Sequence, residues 1–306
     1  MRNTRIDEEA CWTFLKECIT ATAKGKKEPF RVNDVLQLFC FTEQTEFLPY
    51  LCEPAVVIVA QGNKIVRIGK EEFKYGENIY FLSGIEMPVF SCIPKATPDY
   101  PYIALSLKLD SSLINELAAH MPPPPNDVSN ISITAAQKLD ADLLNAVAYL
   151  LEASLSQNPK PILCQILIKE IHYHLMSSPS GVILRRMFNS DSQENHIYKT
   201  IDWIKQNYSS SFTIAELATK SHMAPSTFHK YFKAMMRVSP LQFQKRLRLS
   251  HARVLLAEGY DVTHTAMTVG YESATQFTRE YKRLYGESPK KSVKLIKQTS
   301  AEDKNT

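Results

Sequence analysis

Basic side chains recur at matched positions in two segments near the end of the chain, and their chemistry suits phosphate binding. Residues 226–240 read STFHKYFKAMMRVSP and residues 275–289 read TQFTREYKRLYGESP, so that Lys233 and Lys282 occupy equivalent positions. Lysine and arginine on a helix that meets DNA hold the phosphate backbone without reading its sequence. We expect this role for Lys233, Lys282 and Arg283, with an idle solvated charge as the alternative for each.

The aromatic residues and the final proline of the two segments repeat at the same offset. The matched pairs are Phe228 and Phe277, Phe232 and Tyr281, and Pro240 and Pro289, each 49 positions apart. A unit that occurs twice within roughly a hundred residues indicates two copies of one small fold. Since these rings, with Tyr271, recur at helical spacing, we expect them to form apolar cores rather than to stack on bases.

A short helix and a turn precede each segment. In the first unit Thr213, with Glu216 three residues later, has the arrangement of a capping box, and Pro225 suits the first turn of the next helix. In the second unit Gly270 is expected to adopt a left-handed turn, and a new helix begins near Ser273. A helix, a tight turn and a second helix form the helix-turn-helix unit, whose second helix enters the major groove of DNA.

The stretch between the units predicts one long helix, from Ser239 to about Gly259. About 18 residues at 1.5 Å per residue span about 27 Å. Such a helix would hold two recognition helices about one DNA turn apart, ~34 Å, on one face of the duplex. The sequence therefore predicts a chain that reads two successive major grooves.

The charge divides unevenly along the 306 residues. The net charge is +4, but residues 196–306 hold 18 Lys and Arg against 9 Asp and Glu, and residues 1–195 hold 18 against 23. A basic part joined to an acidic part indicates a polyanion-binding domain attached to a sensing or assembly domain. No apolar run approaches the ~20 residues of a membrane span, and acidic residues interrupt the N-terminus, so we expect a cytoplasmic protein.

Short β-rich runs separated by turn residues fill residues 36–109. The runs are LQLFCFT, AVVIVAQ, NKIVRIG, EEFKY, NIYFLS, MPVFSCI and YIALSLKL. Consecutive short strands of this kind predict an antiparallel barrel or sandwich. An amphipathic helix is expected ahead of them, over residues 6–24, so that the predicted fold class is α+β.

Helices follow the strands. The prolines of residues 121–127, MPPPPND, indicate a rigid spacer. Thr134 is expected to cap a helix over residues 134–157, and a second helix is expected over residues 161–176. Their apolar stripes are buried either on the barrel or on a second protomer. We expect a homodimer through the helices of residues 134–176, with packing inside the domain as the alternative.

The six cysteines form no CxxC pair and are expected to be reduced thiols. The strand region holds no histidine, so no metal site is expected there. Cys52 and Cys92 lie in or beside strands and are the thiols best placed to face a barrel interior. Cys92 is the candidate reactive thiol if the domain senses electrophiles, but a buried inert cysteine is the favoured interpretation.

Residues 197–292 resemble the DNA-binding domain of the AraC/XylS transcription regulators. The matching pieces are FTIAELA, MAPSTFHKYFK, SPLQFQKRLRLSHARVLL and AMTVGYESATQFTREYKRLYGESP, and the last contains the signature region of the family. EPAVVIVAQGNKIVRIG, FKYGENIYFLSGIEMPVFSC and PKPILCQILIKEIHYHL resemble the regulatory domain of one subgroup. This resemblance implies a cupin-like barrel with accessory helices, and some members of the subgroup are similar to aldehyde-responsive activators.

The resemblance also implies which side chains face DNA bases. By position they are Ser226, Thr227, His229 and Lys230 in the first unit, and Ala274, Thr275, Gln276 and Arg279 in the second. Arginine favours guanine and glutamine favours adenine in the major groove. Ser226 is smaller than the residues often found there, so base reading by the first unit depends on His229 and Lys230. For His229 a half-buried structural role is the alternative, and Ala274 offers only apolar contact.

We expect a sequence-specific DNA-binding transcription regulator: an effector-responsive activator whose partners are double-stranded DNA, RNA polymerase and a small-molecule or electrophilic effector, with no cofactor and no enzymatic activity. The expected domains are a regulatory barrel (1–120), a helical dimerisation region (121–190), a DNA-binding domain (191–295) and a disordered tail (296–306). Two alternatives stay open. One is a cupin-like metalloenzyme, which the missing barrel histidines disfavour, and the other is an effector-free architectural regulator.

Overall fold

The computed structural model describes residues 7–26, 28–124, 134–190 and 192–292, which form two compact units. The first unit is drawn from residues 1–47, 52–86 and 91–195, and the second from residues 48–51, 87–90 and 196–306. The last part of the predicted proline spacer and the predicted tail lie outside the described residues. None of the helices within those described ranges combines the length and the apolar character needed to cross a membrane.

The described strands form two β-sheets. They are β1 (Phe30–Arg31), β2 (Leu36–Phe41), β3 (Leu48–Cys52), β4 (Ala55–Gln61), β5 (Asn63–Ile68), β6 (Glu71–Gly76), β7 (Ile79–Ser83), β8 (Met87–Cys92), β9 (Tyr102–Lys108) and β10 (Thr134–Lys138). The larger sheet has the order β1-β2-β9-β4-β7-β10 with antiparallel neighbours, and the smaller has the order β3-β8-β5-β6. The predicted antiparallel β domain is confirmed, but β1, β3 and β10 are absent from the predicted runs.

One face of the larger sheet packs against helix α1 (Glu8–Ala23). Leu15 and Ile19 lie one helical turn apart on α1 and are fully buried, as are Leu36 and Leu38 on β2. Side chains alternate along a strand, so Phe39 points to the other face. On that face the Phe39 ring centre lies 5.8 Å from the Nζ of Lys64 on β5.

Of the two helices predicted after the strands, the first begins later than the sequence suggests and the second begins where predicted, at Pro161. The helices that follow the strands are α2 (Ser111–Ala118), α3 (Ala141–Leu155) and α4 (Pro161–Ser177). The prediction that Thr134 caps a helix is wrong, because Thr134 begins strand β10 and pairs with Ser83 of β7. Asp140 is the cap of α3, and its carboxylate accepts a hydrogen bond from the Leu143 N–H at 2.8 Å. The helical part of residues 134–176 is therefore shorter than predicted.

The helices predicted from the sequence do not include α5 (Gly181–Met187), which follows α4. Ile183, Leu184 and Met187 are buried, so α5 contributes to the core of the first unit. Arg186 of this helix donates a hydrogen bond to the Glu194 carboxylate at 3.0 Å, and both side chains are buried. A helix of seven residues is too short to show a clear apolar period, which explains why the sequence did not indicate it.

From residue 196 onward the described part of the second compact unit is helical. Its helices are α6 (Gln193–Gln206), α7 (Ile214–Lys220), α8 (Pro225–Met236), α9 (Pro240–Ala257), α10 (Val262–Thr268) and α11 (Ala274–Tyr285). Helices α7 to α11 follow the predicted order of two helix-turn-helix units joined by one long helix.

His172 joins two helices of the first unit through a neutral imidazole. It is 1% exposed, its Nε2 accepts a hydrogen bond from the Asp110 N–H at 2.9 Å, and its Nδ1 lies 2.8 Å from the Ile168 carbonyl oxygen. The Nδ1–H tautomer satisfies both contacts. Burial lowers the pKa of His172, although the Ile168 carbonyl and the Asp110 charge act in the opposite direction.

Acidification from pH 7 to pH 5 is expected to destabilise the first unit through His172. A histidine in the unfolded chain takes up a proton near pH 6.5, before the folded one does, so the stabilisation is complete above that pH and is lost as the pH falls towards the lowered folded pKa. Each pKa unit of difference corresponds to about 1.4 kcal/mol. Urea unfolding of His172→Gln should therefore depend less on pH than that of the wild type.

His120→Gln is the matched control, because His120 is exposed and should leave the pH dependence of unfolding unchanged. If His172→Gln and the wild type lose the same unfolding free energy between pH 7 and pH 5, the buried neutral histidine does not control this dependence.

Candidate nucleic-acid interface

In the first helix-turn-helix unit the predicted capping box and the predicted start of the second helix are confirmed. The Thr213 hydroxyl accepts a hydrogen bond from the Glu216 N–H at 3.2 Å, and the Glu216 carboxylate accepts one from the Thr213 N–H at 2.6 Å, which completes the predicted capping box. His222 takes the left-handed conformation in the turn, with φ +53°. Helix α8 then begins at Pro225 and ends where Arg237 adopts φ +59°.

The second unit repeats this pattern with different residues. The Asp261 carboxylate caps α10 by accepting from the N–H groups of Thr263 and His264 at 2.9 and 3.0 Å. Gly270 has φ +89°, as predicted for its turn, and Ser273 caps α11. Helices α8 and α11 each have 12 residues and begin 49 positions apart. The repeat in the sequence is thus a repeat in the structure.

The aromatic residues of the repeat form two cores, as predicted. In the first helix-turn-helix unit Phe228 and Phe232 are fully buried, and the Phe232 ring packs edge-on against Phe243 of α9 at 5.9 Å. In the second, Phe277 and Tyr281 are fully buried in a cluster with residues of α9 and α10. Each second helix is thereby anchored along one side to α9, and its opposite side is left for a ligand.

Helix α9 is the shared support of the two units. It has the 18 residues expected from the sequence, and its cap is a reciprocal pair formed by Ser239 and Gln242. Arg248 donates four hydrogen bonds from this helix: Nε to the Tyr208 carbonyl at 2.7 Å, Nη1 to the Gly270 carbonyl at 2.8 Å, and Nη2 to the Ser209 and Ser210 carbonyls at 3.1 Å each. This side chain therefore ties the turn of the second unit to the loop that precedes the first.

Two further polar residues of α9 complete the attachment. The Gln244 Nε2 donates to the Tyr208 carbonyl at 3.0 Å and to the Ser210 carbonyl at 2.6 Å. The Lys245 Nζ lies 2.8 Å from the Glu280 carboxylate on α11. These contacts attach α9 to the loop before α7 and to α11, and the lysine gives the buried Glu280 carboxylate a charged partner.

Glu280 orients the second recognition helix. Its carboxylate is almost buried and also accepts a hydrogen bond from the Tyr271 hydroxyl at 2.8 Å. Desolvation favours the protonated acid, but the bonds from Lys245 and Tyr271 outweigh it and hold the pKa of Glu280 below its ordinary value. Desolvation and the bond to Glu280 raise the pKa of Tyr271. The network therefore keeps a carboxylate and a neutral phenol at neutral pH.

The predicted DNA-contacting residues lie on the sides of α8 and α11 that the cores leave uncovered. Thr227 and Ala274 are half-buried; the exposed members are Ser226, His229, Lys230, Lys233, Thr275, Gln276, Arg279, Lys282 and Arg283. The two sets lie on two separate helices. The set on α8 combines hydroxyl, imidazole and basic groups, and the set on α11 combines hydroxyl, amide and basic groups.

Sequence reasoning missed the residues that hold these helices in place. These residues are Gln244, Lys245, Arg248 and Glu280. One signal was available: residues 244, 245 and 248 of the predicted long helix have spacings that place them on one side of it. Their partners are mostly main-chain carbonyls, which no residue pattern reveals.

The two predicted effector thiols lie in the first compact unit, the one that contains the larger β-sheet. Cys52 ends β3, Cys92 ends β8, and both are buried. Desolvation raises the pKa of Cys92 although Arg67 and Lys64 favour the thiolate. Its role as a reactive thiol stays a prediction. Among the residues that the structure describes, no group of three or more His, Cys, Asp or Glu side chains is arranged to hold a metal ion.

Comparison with known families divides the chain in the same way. A family model described as the AraC-type transcriptional regulator N-terminus matches residues 33–183, and one described as a helix-turn-helix domain matches residues 217–294.

Similar curated proteins match only in part. The probable transcriptional regulator LumQ of Photobacterium leiognathi is 34% identical over 89 residues, which cover 29% of this chain and 36% of LumQ. The HTH-type transcriptional activator RhaS of Yersinia pestis (strain Pestoides F) is 32% identical over 101 residues, which cover 33% of this chain and 37% of RhaS. The chain thus spans just over a third of the length of the curated relatives it matches.

Solved structures of ToxT from Vibrio cholerae share the fold over most of the chain. A 1.65 Å structure has a TM-score of 0.56 at 10% identity and covers 86% of this chain and 99% of ToxT. A structure described as ToxT bound to an unsaturated fatty acid has a TM-score of 0.55 at 11% identity and covers 86% and 96%.

Gly270→Ala is expected to destabilise the second helix-turn-helix unit severely. A Cβ at this position would lie 2.0 Å from the Ser209 carbonyl oxygen, and φ is already left-handed. The matched control is Gly259→Ala, where φ is +98° but no atom lies within 4 Å of the added carbon. Urea unfolding should show a loss of about 1 kcal/mol for Gly259→Ala, from backbone strain alone, and about 3 kcal/mol or more for Gly270→Ala. Equal losses would mean that the turn does not pack as described.

Proposed function

This chain belongs to the AraC/XylS family of DNA-binding transcription regulators, and we propose that it is an effector-responsive activator that reads two successive major grooves. The observation that carries the proposal is the pair of recognition helices, α8 and α11, fixed to the single helix α9. A helix of 18 residues is about 27 Å long, which is comparable with the ~34 Å between equivalent points of neighbouring grooves.

The two recognition helices have different chemistry in this proposal. In α11, Arg279 reads a guanine edge and Gln276 an adenine edge, while Thr275 and Ala274 line the groove. In α8, His229 and Lys230 carry most of the base reading, supported by Ser226 and Thr227. The basic residues near the ends of the helices, Lys233, Lys282 and Arg283, hold phosphates and set the register of each helix in its groove.

In this proposal the first compact unit, which contains the larger β-sheet, regulates the activity of the protein. A small molecule that binds there acts only if its affinity differs between two states of the protein, and the activated state then recruits RNA polymerase. The ToxT structure with an unsaturated fatty acid supports a small-molecule site on this fold. Cys52 and Cys92 remain the candidate thiols for an electrophilic effector. We place the protein in the cytoplasm, where its DNA lies.

We also propose that the first unit forms a homodimer through α4. Its exposed apolar residues, Ile162, Ile166 and Tyr173, follow one another at helical spacing, and the first two are 73% and 57% exposed. Contiguous exposed apolar surface of this kind is typical of an interface. A second copy of the chain is the occupant that suits a single helix face best, because a two-fold axis pairs the face with itself.

Arg279→Ala is expected to relax base preference at one position of the site. Loss of a bidentate contact to guanine should cost about 1–3 kcal/mol of binding free energy on the preferred sequence and much less on other sequences. Selection on randomised DNA measures this change. A selected site identical to that of the wild type would refute the assignment of Arg279, and Glu272→Ala, an exposed residue in the turn before α11, is the matched control.

Lys233→Ala is expected to weaken binding to all sequences alike, because a phosphate contact carries no base information. The slope of log K against log salt should fall by about 1. Lys138→Ala, an exposed lysine of β10, should leave both quantities unchanged. A Lys233→Ala protein with the wild-type salt slope would exclude the phosphate contact.

Ile166→Glu is expected to convert a dimer into a monomer, since a carboxylate in an apolar interface has no partner. Light scattering after size-exclusion chromatography gives the mass directly. Leu241→Glu, at a residue of α9 that is 53% exposed, is the control and should leave the mass unchanged. A wild-type monomer, or an Ile166→Glu dimer, would contradict the assignment of α4.

A further inference from the structure

The turn of the first helix-turn-helix unit lies along one face of α6. Three consecutive residues at this turn each contact a different residue of α6: Lys220 contacts Trp203, Ser221 contacts Thr200, and His222 contacts His196. The Lys220 Nζ lies 4.4 Å from the centre of the Trp203 ring, and the His222 and His196 ring centres are 5.4 Å apart. Since residues 196, 200 and 203 follow one another at spacings of four and three, they lie on one side of the helix.

The contact between Ser221 and Thr200 is a buried pair of hydroxyl groups. Thr200 is 2% exposed and Ser221 is fully buried, and their hydroxyl oxygens lie 2.7 Å apart. The Thr200 hydroxyl oxygen also lies 3.0 Å from the His196 carbonyl oxygen, one turn earlier in α6. A hydroxyl has one proton and a carbonyl can only accept, so both contacts are satisfied when Thr200 donates to His196 and Ser221 donates to Thr200. Thr200 is therefore the acceptor for a buried hydroxyl of the turn.

The turn supports the end of α8 that carries two of the candidate base contacts. Ser221 lies four positions before the start of α8, and Ala224, which precedes the helix, provides no side-chain cap. Helix α11, in contrast, is capped by the Ser273 hydroxyl. Ser226 and Thr227 belong to the first turn of α8. Because this end of α8 has no cap of its own, the positions of these two side chains depend on how the turn is held.

We propose that Thr200 and Ser221 position the first turn of α8 and thereby set the base preference of the first helix-turn-helix unit. The inference deepens the proposed function, on which it rests for the contact with DNA. Both residues are buried, so they act through α8 and not by touching DNA. Without the hydroxyl pair the turn has more than one arrangement, and the side chains that face bases lose their fixed positions. Phosphate contacts, which carry no base information, are kept.

Thr200→Val in the full-length protein tests the proposal, because valine has the shape of threonine but offers no acceptor to Ser221. Selection on randomised DNA should show relaxed preference only in the half of the site where Arg279→Ala has no effect. The affinity for the selected site should fall about threefold to tenfold, which corresponds to the loss of one hydrogen bond. The slope of log K against log salt should stay unchanged, since the phosphate contacts remain. Thr200→Ser keeps the hydroxyl and should retain the wild-type preference.

Ile204→Val is the matched control for a loss of stability alone. Ile204 is fully buried on α6, and the variant loses one methyl group from the core while the hydroxyl pair stays intact. Urea unfolding should show a lower stability, and the base preference should be that of the wild type. If Thr200→Val keeps the wild-type preference, or if Ile204→Val relaxes it equally, Thr200 has only a structural role and the proposal is overturned.

Ser221→Ala decides if Thr200→Val does not fold. This variant removes the donor of the pair, and Thr200 still donates to the His196 carbonyl, so no buried hydroxyl proton is left without an acceptor. It should relax the preference in the same half of the site, and an unchanged preference would overturn the proposal. A wild-type protein that does not bind DNA refutes the proposed function, whereas binding with unchanged preference in the hydroxyl variants refutes this inference only.

Discussion

The hydrogen bonds that α9 makes through Gln244, Lys245 and Arg248 are the contacts on which the DNA-binding unit depends. Two short helix-turn-helix units have little core of their own, and their relative position would vary if they were joined by a flexible linker. Arg248 instead donates to three main-chain carbonyls of the loop before the first helix-turn-helix unit and to the Gly270 carbonyl of the second, and Lys245 meets the buried carboxylate of Glu280. A rearrangement that separates α9 from these partners loses several hydrogen bonds at once, and a buried carboxylate left without its partner costs about 1–3 kcal/mol.

Glu280 shows how a buried charge can stabilise this framework. It keeps its charge because a lysine and a phenol replace the water that burial removes from around its carboxylate. The same contacts join α11 to α9 and to the turn that precedes α11.

Much of this architecture was predictable from residues with strong local meaning. The capping box at Thr213, the left-handed Gly270 and the aromatic repeat each determine a local conformation, and all three lie where expected. The prediction for Thr134 was wrong because a threonine before an apolar run suits a strand as well as a helix cap. Only the pairing of β10 with β7 decides between them. Helix α5 was too short to show a period. The attachments of α9 could not be predicted because main-chain carbonyl acceptors have no sequence signature.

The central claim is that α9 holds α8 and α11 at a fixed separation that matches neighbouring grooves. The most direct measurement is the affinity of the full-length protein for its selected site before and after insertion of about 5 base pairs, half a helical turn, between the segments contacted by the two helices. The account predicts that the insertion reduces the affinity to that of non-specific DNA, because the second segment moves to the opposite face of the duplex. An affinity that survives the insertion would contradict the account.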